Sequence, residues 1–443
     1  PPRSTLFPYT TLFRSEYHLN KIRSANERTI YLDAGDQQTG SVFSSFEYKG
    51  LKGGAILEVF HRLGLDAATL GNHEFDVSYA HAKALVQNAQ YPFISTNLLD
   101  ANGKSFGRAP YQIIEKDGLN IGILGLTLVE LPEKVKTENV APLTILPYKE
   151  AIDRVLDDVD SASDLIVLLT HNGWEADSLL ASTLDDRIDL IIGGHSHIVI
   201  DEPTQVNGIY ILSAGSHLAL LGVADIEVQN DRITSFNSRM EPLTQAPDEY
   251  YSDLSLFIDE QTLELETTLG KVAGYLPFDF EVNKYQVTQG SQWIADALLA
   301  EYAGFGAKLS LINNGGLRKH LPKGEVSLKD LHEYIPFGNT VTFFSCYGKD
   351  LLTFAEKNRK NAIDKPYDIL STSAPGMNQA TKNQFYVSNG EILDPDAVYR
   401  IVSHDYIASQ WDKYLGFQPF DVYDTGDLFL DAIIQQVSKQ FSK

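Results

Sequence analysis

A single cysteine stands in 443 residues, beside two methionines and three tryptophans. One cysteine excludes an internal disulfide. Cys346 lies in the apolar run VTFFSCY, where a buried structural thiol is expected. The lone thiol fits a cytosolic chain and a disulfide-free exported one equally well. Basic residues are also scarce: 36 Lys and Arg stand against 59 Asp and Glu, a formal net charge of −23. That balance argues against a nucleic-acid polymer as partner, because phosphate backbones are bound by basic surfaces. It leaves room for a small phosphorylated ligand whose charge a metal cluster meets. No stretch approaches the ~18 consecutive apolar residues of a membrane span. What is present is ordinary: 43% hydrophobic and 21% charged residues describe a globular chain, long enough for two or three domains.

The chain opens PPRSTLFPYTTLFRS, with TLF twice and Arg-Ser twice. The stretch shows neither helical nor strand periodicity, and Pro8 interrupts its apolar run. It lacks the basic n-region and the continuous apolar core of roughly 7–15 residues that mark a secretory signal. Residues 2–15 resemble the in-frame translation of a sequencing-library adapter. Pro1–Ser15 is therefore set aside as a tail, and the natural sequence before Glu16 is expected to be missing.

From Glu16 to Leu243, short runs rich in Ile, Val and Leu alternate with amphipathic stretches. The runs are TIYLDAGD, DAATLGNHEFD, NIGILGLTL, DLIVLLTHNG, IDLIIGGHSH and IYILSAGS. Each ends in glycine and polar residues, as a strand buried on both faces does when it feeds a functional loop. Ala55–Gly64 and Tyr148–Val159 read as helices between them, so the fold class is α/β. Residues 244–270 form a linker and helix, with TQAPDEYYSD as the boundary and Leu254–Gly270 as the helix. Residues 271–443 form a second domain. Its expected elements are a helix at QWIADALLAEYAG, strands at KLSLINNGG and TVTFFSCYG, and a terminal helix at DLFLDAIIQQVSKQF.

Four strand-end loops carry the chemistry: GDQQTG with Asp36, GNHEFD with Asn72, His73 and Asp76, THNG with His171, and GGHSH with His195 and His197. Any one of them alone is a turn or a solvated histidine. Together they deliver Asp, Asn and His side chains to one edge of a sheet, where open α/β folds place their sites. Imidazole suits Zn, Mn, Fe, Co or Ni, and the oxygen donors add hard character. Asp33 reads as support for the ligands. His217, in AGSHLALLG, reads as an ordinary strand-end histidine.

GNHEFD, THNG and GGHSH, in this order, resemble the calcineurin-like metallophosphoesterases, and more narrowly the 5′-nucleotidase family. The resemblance implies an N-terminal β-sandwich flanked by helices over residues 16–243. It also implies a linking helix and a C-terminal α+β substrate domain. By it, Asp36 bridges two divalent ions (Zn, Mn, Co, Fe or Mg) about 3.5–4 Å apart. Asn72, His171 and His195 complete one site, and His197 serves the other. His73 stabilises the transferring phosphoryl oxygen or protonates the leaving group, and Asp76 orients it. The implied reaction is attack of a metal-activated water on a nucleotide phosphate, without a covalent protein intermediate. The implied compartment is periplasmic, cell-surface or secreted.

The family's first motif, an Asp-x-His several tens of residues before the Gly-Asp, is not found, and His18 sits on a helical pattern. One metal site is thus expected to lack two ligands and the sheet a strand, with the His197-side ion weakly held. In the second domain, Ile312–Thr340 resembles the family's Asn-Gly-Gly-Gly-Ile-Arg and Pro-Phe-Gly-Asn patterns. Asn313 and Arg318 then contact substrate, Phe337 and Tyr406 stack on a base, and Asp412 meets a ribose hydroxyl. Three departures loosen the match: Asn314 replaces a glycine, Gln286 stands near an expected Arg, and Gln410–Lys413 replaces Gly-Gly-Asp-Gly. The expected substrate is a small phosphorylated molecule, a nucleotide first. A cyclic nucleotide, a UDP-sugar-type pyrophosphate or a sulfur ester are alternatives on the same site. A non-catalytic binding protein that kept the fold is the alternative of another class, and the paired His73 and Asp76 speak against it.

Overall fold

The computed structural model describes residues 10–40, 42–243, 250–373, 386–387 and 390–442. It divides into two compact units: the first holds the residues up to Thr39 and Phe43–Glu264, and the second holds Gly40, Val42 and the residues from Leu265 on. The boundary falls inside the helix Asp253–Leu269, close to the expected Leu254–Gly270. Most of TQAPDEYYSD lies outside the described residues.

The first unit is built on a six-stranded sheet. In spatial order its strands are Thr204–Val206, Ile209–Leu212, Leu190–Gly193, Leu165–His171, Leu119–Thr127 and Tyr111–Lys116. The four inner strands are parallel and the two edges antiparallel. Side chains alternate in direction along each strand, which splits the apolar runs between two cores. Leu124, Leu126, Ile166, Leu168 and Ile191 meet Ile152, Leu156, Val159 and Leu180 from the flanking helices. Ile121, Ile123, Leu165, Val167 and Leu169 face the other way. They meet Ala67 and Ile94, with Leu32, Ala224, Ile226 and Phe236 packed alongside. That second layer contains the short parallel pair Leu32–Asp33 with Ala67–Ala68 and the hairpin Leu220–Val228 with Ile233–Pro242. The expected sandwich flanked by helices is present, and every one of the six apolar runs contains a strand.

Two local readings are corrected. Tyr148–Val159 is two short helices, Tyr148–Asp153 and Leu156–Asp160, because Val155 leaves helical geometry at φ −125°. Residues 10–15, set aside as tail, belong to the helix Thr10–Ala25; residues 1–9 lie outside the described part. Leu12, Ser15, His18 and Leu19 are all buried, a helical spacing that the repeated TLF motif hid. His18 Nδ1 donates to Glu241 Oε1, 3.1 Å away, which gives it a structural partner.

The second unit holds a five-stranded sheet ordered Leu370–Thr372, Leu309–Asn313, Val398–His404, Thr340–Tyr347 and Phe420–Leu428. Ile312, Val341, Phe343 and Val402 pack against a core that includes the helices Gln289–Glu301 and Phe429–Gln440. Leu309, Leu311, Phe344 and Cys346 pack on Leu351 and Phe354 of the helix Gly348–Asp364. Cys346 is fully buried, and burial pushes its thiol up to about 12, as a structural thiol requires.

If Leu12 packs as observed, Leu12→Ala should cost about 2–3 kcal/mol of stability, the lower range for a buried leucine. Denaturant unfolding of the variant measures it; an unchanged midpoint would place residues 10–15 outside the folded unit.

Candidate metal centre

Asp36 follows the strand Leu32–Asp33, His171 closes Leu165–His171, and His195 follows Leu190–Gly193. One ligand atom from each lies within 4.8 Å of the other two. Asp36 and His195 both take left-handed backbone, with φ of 62° and 76°. For side chains with a Cβ this costs about 1–2 kcal/mol each, a strain that sites hold only when their surroundings fix it.

The surroundings do fix it, chiefly through Glu74. This carboxylate is fully buried and accepts four backbone N–H groups from two loops. Its Oε2 takes Gly71 N at 2.6 Å and Asp36 N at 3.1 Å. Its Oε1 takes Gln37 N at 2.8 Å and Gln38 N at 3.2 Å. Burial, then the charge of Asp36, raises Glu74 to about 7, and the N–H donors pull the other way. The loops meet so closely that a Cβ on Gly71 would lie 2.1 Å from Asp36 Oδ1. His73 N then donates to that same oxygen at 2.8 Å.

His171 is buried, and its Nδ1 sits 2.6 Å from the carbonyl of Ala34. A carbonyl only accepts, so Nδ1 carries a proton and Nε2 is the nitrogen turned toward Asp36. Nε2 lies 2.9 Å from Asp36 Oδ2, an ion-pair contact. Asn72 Oδ1, also buried, finds no partner among the described residues. Burial would protonate Asp36, but the His171 and His73 imidazoles hold its carboxyl well below the usual range. Burial lowers His171, and Asp36 more than restores it. Burial, then the charge of His171, pushes His195 down to about 4, so its ring is neutral and a ready donor. A carboxylate and two imidazoles converging in a dry site, with the unpartnered Asn72 amide oxygen in the same loop cluster, fit a divalent cation.

His73 Nδ1 meets Asp76 Oδ2 at 2.7 Å, the expected orienting contact, and its Nε2 lies 3.9 Å from Asp36 Oδ2. Thr39 Oγ1 donates to the same Asp76 oxygen at 2.6 Å. Behind the site, buried Asp177 accepts from Thr170 Oγ1 at 2.9 Å and Asn172 Nδ2 at 3.2 Å. A Cβ on Gly193 would lie 2.4 Å from its Oδ2, so the carboxylate fills the space beside the end of the His195 strand. Asp33, read as support, accepts from Gly35 N and Gln37 Nε2. His197 is not among the converging atoms; its ring stands 5.7 Å from that of His217.

In the second unit, Arg318 places its guanidinium 5.7 Å from the Phe337 ring centre. Asn313 is buried, with Oδ1 2.9 Å from His404 Nε2 and Nδ2 donating to Asp368 Oδ2 at 3.1 Å. Tyr406 lies parallel to the His404 ring at 6.5 Å and receives Lys413 Nζ at its hydroxyl, 3.1 Å away. Asp412 is exposed on the short helix Trp411–Tyr414. Asn314, in a glycine's place, is buried and bonds the carbonyls of Gln286 and Asn283, so it ties a turn.

Glu74, Thr39, Asp177 and Asp368 escaped the sequence reading. Only Glu74 carried a signal: an acid inside GNHEFD, where a solvated charge looks identical to a buried one.

Two family models match the chain in sequence. Calcineurin-like phosphoesterase covers residues 11–199, and 5′-nucleotidase, C-terminal domain covers 267–419. The chain belongs to the 5′-nucleotidase family of calcineurin-like phosphoesterases. Members of this superfamily use divalent metal ions, in keeping with the donor set around Asp36. Among relatives, the trifunctional nucleotide phosphoesterase protein YfkN of Bacillus subtilis is 25% identical over the whole chain. The chain spans only 34% of that protein's length. A 5′-nucleotidase of Vibrio cholerae is 25% identical over 89% of the chain and 79% of its own length. The crystal structure of the 5′-nucleotidase precursor from Thermus thermophilus shares the fold. It has a TM-score of 0.80 and 23% identity over 98% of this chain and 91% of that one.

Glu74→Gln should turn an NH2 toward two of the four N–H donors. The expected cost is about 2–4 kcal/mol, with loss of divalent-ion uptake. Thermal unfolding and ion-binding calorimetry check it; an unchanged melting temperature would mean the carboxylate does not hold the Asp36 loop.

Proposed function

We propose that the chain releases phosphate from a nucleotide or a close phosphate ester, with Asp36, Asn72, His171 and His195 holding a divalent cation. The single observation behind this reading is the convergence of Asp36, His171 and His195, one ligand atom from each within 4.8 Å of the others. When bound, such an ion supplies Lewis-acid charge for phosphoryl oxygens and acidifies water. The chain's own residues do the rest. Asp76 and Thr39 fix the His73 ring, so Nε2 is the nitrogen turned toward the Asp36 side. From there it stabilises a phosphoryl oxygen or passes a proton to the departing one. Glu74 keeps Asp36 from shifting as charge develops, which preorganised sites require.

Recognition of the leaving group falls to the second unit in this reading. Arg318 offers a fork of N–H donors, Phe337 and Tyr406 offer ring faces, and Asn313 is braced by His404 and Asp368. Asp412, exposed, is the assigned contact for a ribose hydroxyl. An exported setting belongs to the same proposal; among the described residues no helix is long and apolar enough to cross a membrane.

His73→Ala should lower kcat for phosphate release about 10²–10⁴-fold while leaving substrate-analogue affinity intact. The assay runs nucleotides, cyclic nucleotides and nucleotide sugars with Mn, Zn, Co or Mg. No phosphate from any of them with the unaltered protein would favour the binding-protein reading.

A further inference from the structure

We infer that Asp368 is the positioning residue of the leaving-group subsite: one carboxylate sets the Asn313 amide, the turn before Arg318 and the short helix that carries Asp412. The inference rests on the function proposed above, because Asn313, Arg318 and Asp412 meet substrate only in that reading.

Backbone pairing brings the carboxylate to the turn. The strands Leu309–Asn313 and Leu370–Thr372 run antiparallel, with Asn313 opposite Leu370. One step further, Asn314 N donates to the Ile369 carbonyl at 2.9 Å. Asp368 comes next and lies beside the turn Asn314–Gly316. Both of its oxygens are engaged. Oδ2 accepts Gly315 N at 2.8 Å and Asn313 Nδ2 at 3.1 Å. Oδ1 accepts the Tyr414 hydroxyl at 2.6 Å. Burial, then the charge of Asp368, raises that hydroxyl well above its usual range, so it keeps its proton and donates. The approach is close: a Cβ on Gly315 would lie 2.6 Å from Oδ2, so only glycine fits there.

Each contact bears on recognition. A carboxylate only accepts, so the Asn313 amide turns its nitrogen to Asp368 and its Oδ1 to His404 Nε2, 2.9 Å away. One amide hydrogen remains for a ligand. Asn313 therefore presents a donor, suited to a ring nitrogen or an oxygen of the leaving group. Gly315, held through its N–H, offers its carbonyl to Arg318 Nη1 at 3.5 Å and steadies the guanidinium. Tyr414 closes the helix Trp411–Tyr414, two residues after Asp412. An ionised acceptor that holds three donors from two segments is a contact whose removal is costly. Asp368 thus does in the second unit what Glu74 does in the first.

The test uses the full chain with Asp368→Ala, Asp368→Asn and Tyr414→Phe. Asparagine at 368 keeps an oxygen for Asn313 and Gly315 and can donate its amide to the Tyr414 hydroxyl oxygen. Hydrogen exchange read by mass spectrometry follows the amides of residues 313–318 and 411–415. Asp368→Ala should speed exchange about tenfold in both segments, Tyr414→Phe only in the second and Asp368→Asn in neither. In steady-state kinetics on a nucleoside monophosphate, Asp368→Ala should raise KM about tenfold with kcat changed less than about threefold. Asp368→Asn should restore KM. A carboxylate with a merely structural role would instead lower the active fraction, and with it kcat, at constant KM. Unchanged exchange in either segment of Asp368→Ala overturns the inference while the proposed reaction stands. Faster exchange with unchanged KM overturns the role in recognition. If the unaltered protein releases no phosphate from any nucleotide, the proposed reaction fails and takes the recognition role with it, whatever the exchange shows.

Discussion

One buried carboxylate organises the first unit's chemistry. Glu74 gathers N–H groups from the loop after Leu32–Asp33 and from the loop after Ala67–Ala68. Those two strands pair over only two residues each, too few to fix their loops by themselves. The four hydrogen bonds supply the missing constraint and hold Asp36 in left-handed backbone. Asp36 is thereby pressed against Gly71 and toward His171. The result is a carboxylate held against imidazoles in a place with little water. A divalent cation can take the place of the proton that Asp36 and His171 share, which is why the arrangement reads as a centre built around an ion.

The remaining scaffold keeps that geometry rigid. The parallel strands Leu119–Thr127, Leu165–His171 and Leu190–Gly193 are buried on both faces, and His171 and His195 sit at or just past their ends. Asp177 on the helix Trp174–Ala181 braces the His171 strand end through Thr170 and Asn172, and Trp174 N donates to Ser196 Oγ at 3.1 Å, which ties the loops after the two strands. Sites on strand ends backed by such contacts hold their ligands more precisely than free loops do.

Much of this was legible in the sequence because burial on both faces leaves an unmistakable apolar run, and because His and Asp after such runs have few structural reasons to recur. The six runs gave six strands, and Asp36, His171 and His195 came together. Other parts were not legible for physical reasons. Glu74 earns its place through backbone donors, which no residue pattern displays. The helix Thr10–Ala25 buries one thin face, and a repeated motif masked its period. Tyr148–Val159 looked like one helix, since a break at a β-branched residue depends on packing. In the second unit, Asn314 looked like a damaged ligand loop and proves to be a turn tie.

The account stands on the position of the ion between Asp36 and His171. Crystals soaked in Mn(II), with diffraction collected at the Mn edge, locate it directly. The account predicts an anomalous peak within coordination distance of Asp36 Oδ2, His171 Nε2 and a nitrogen of His195, with Asn72 Oδ1 turned toward it. Crystals that diffract well and take up Mn(II) elsewhere, leaving no peak between Asp36 and His171, would contradict it.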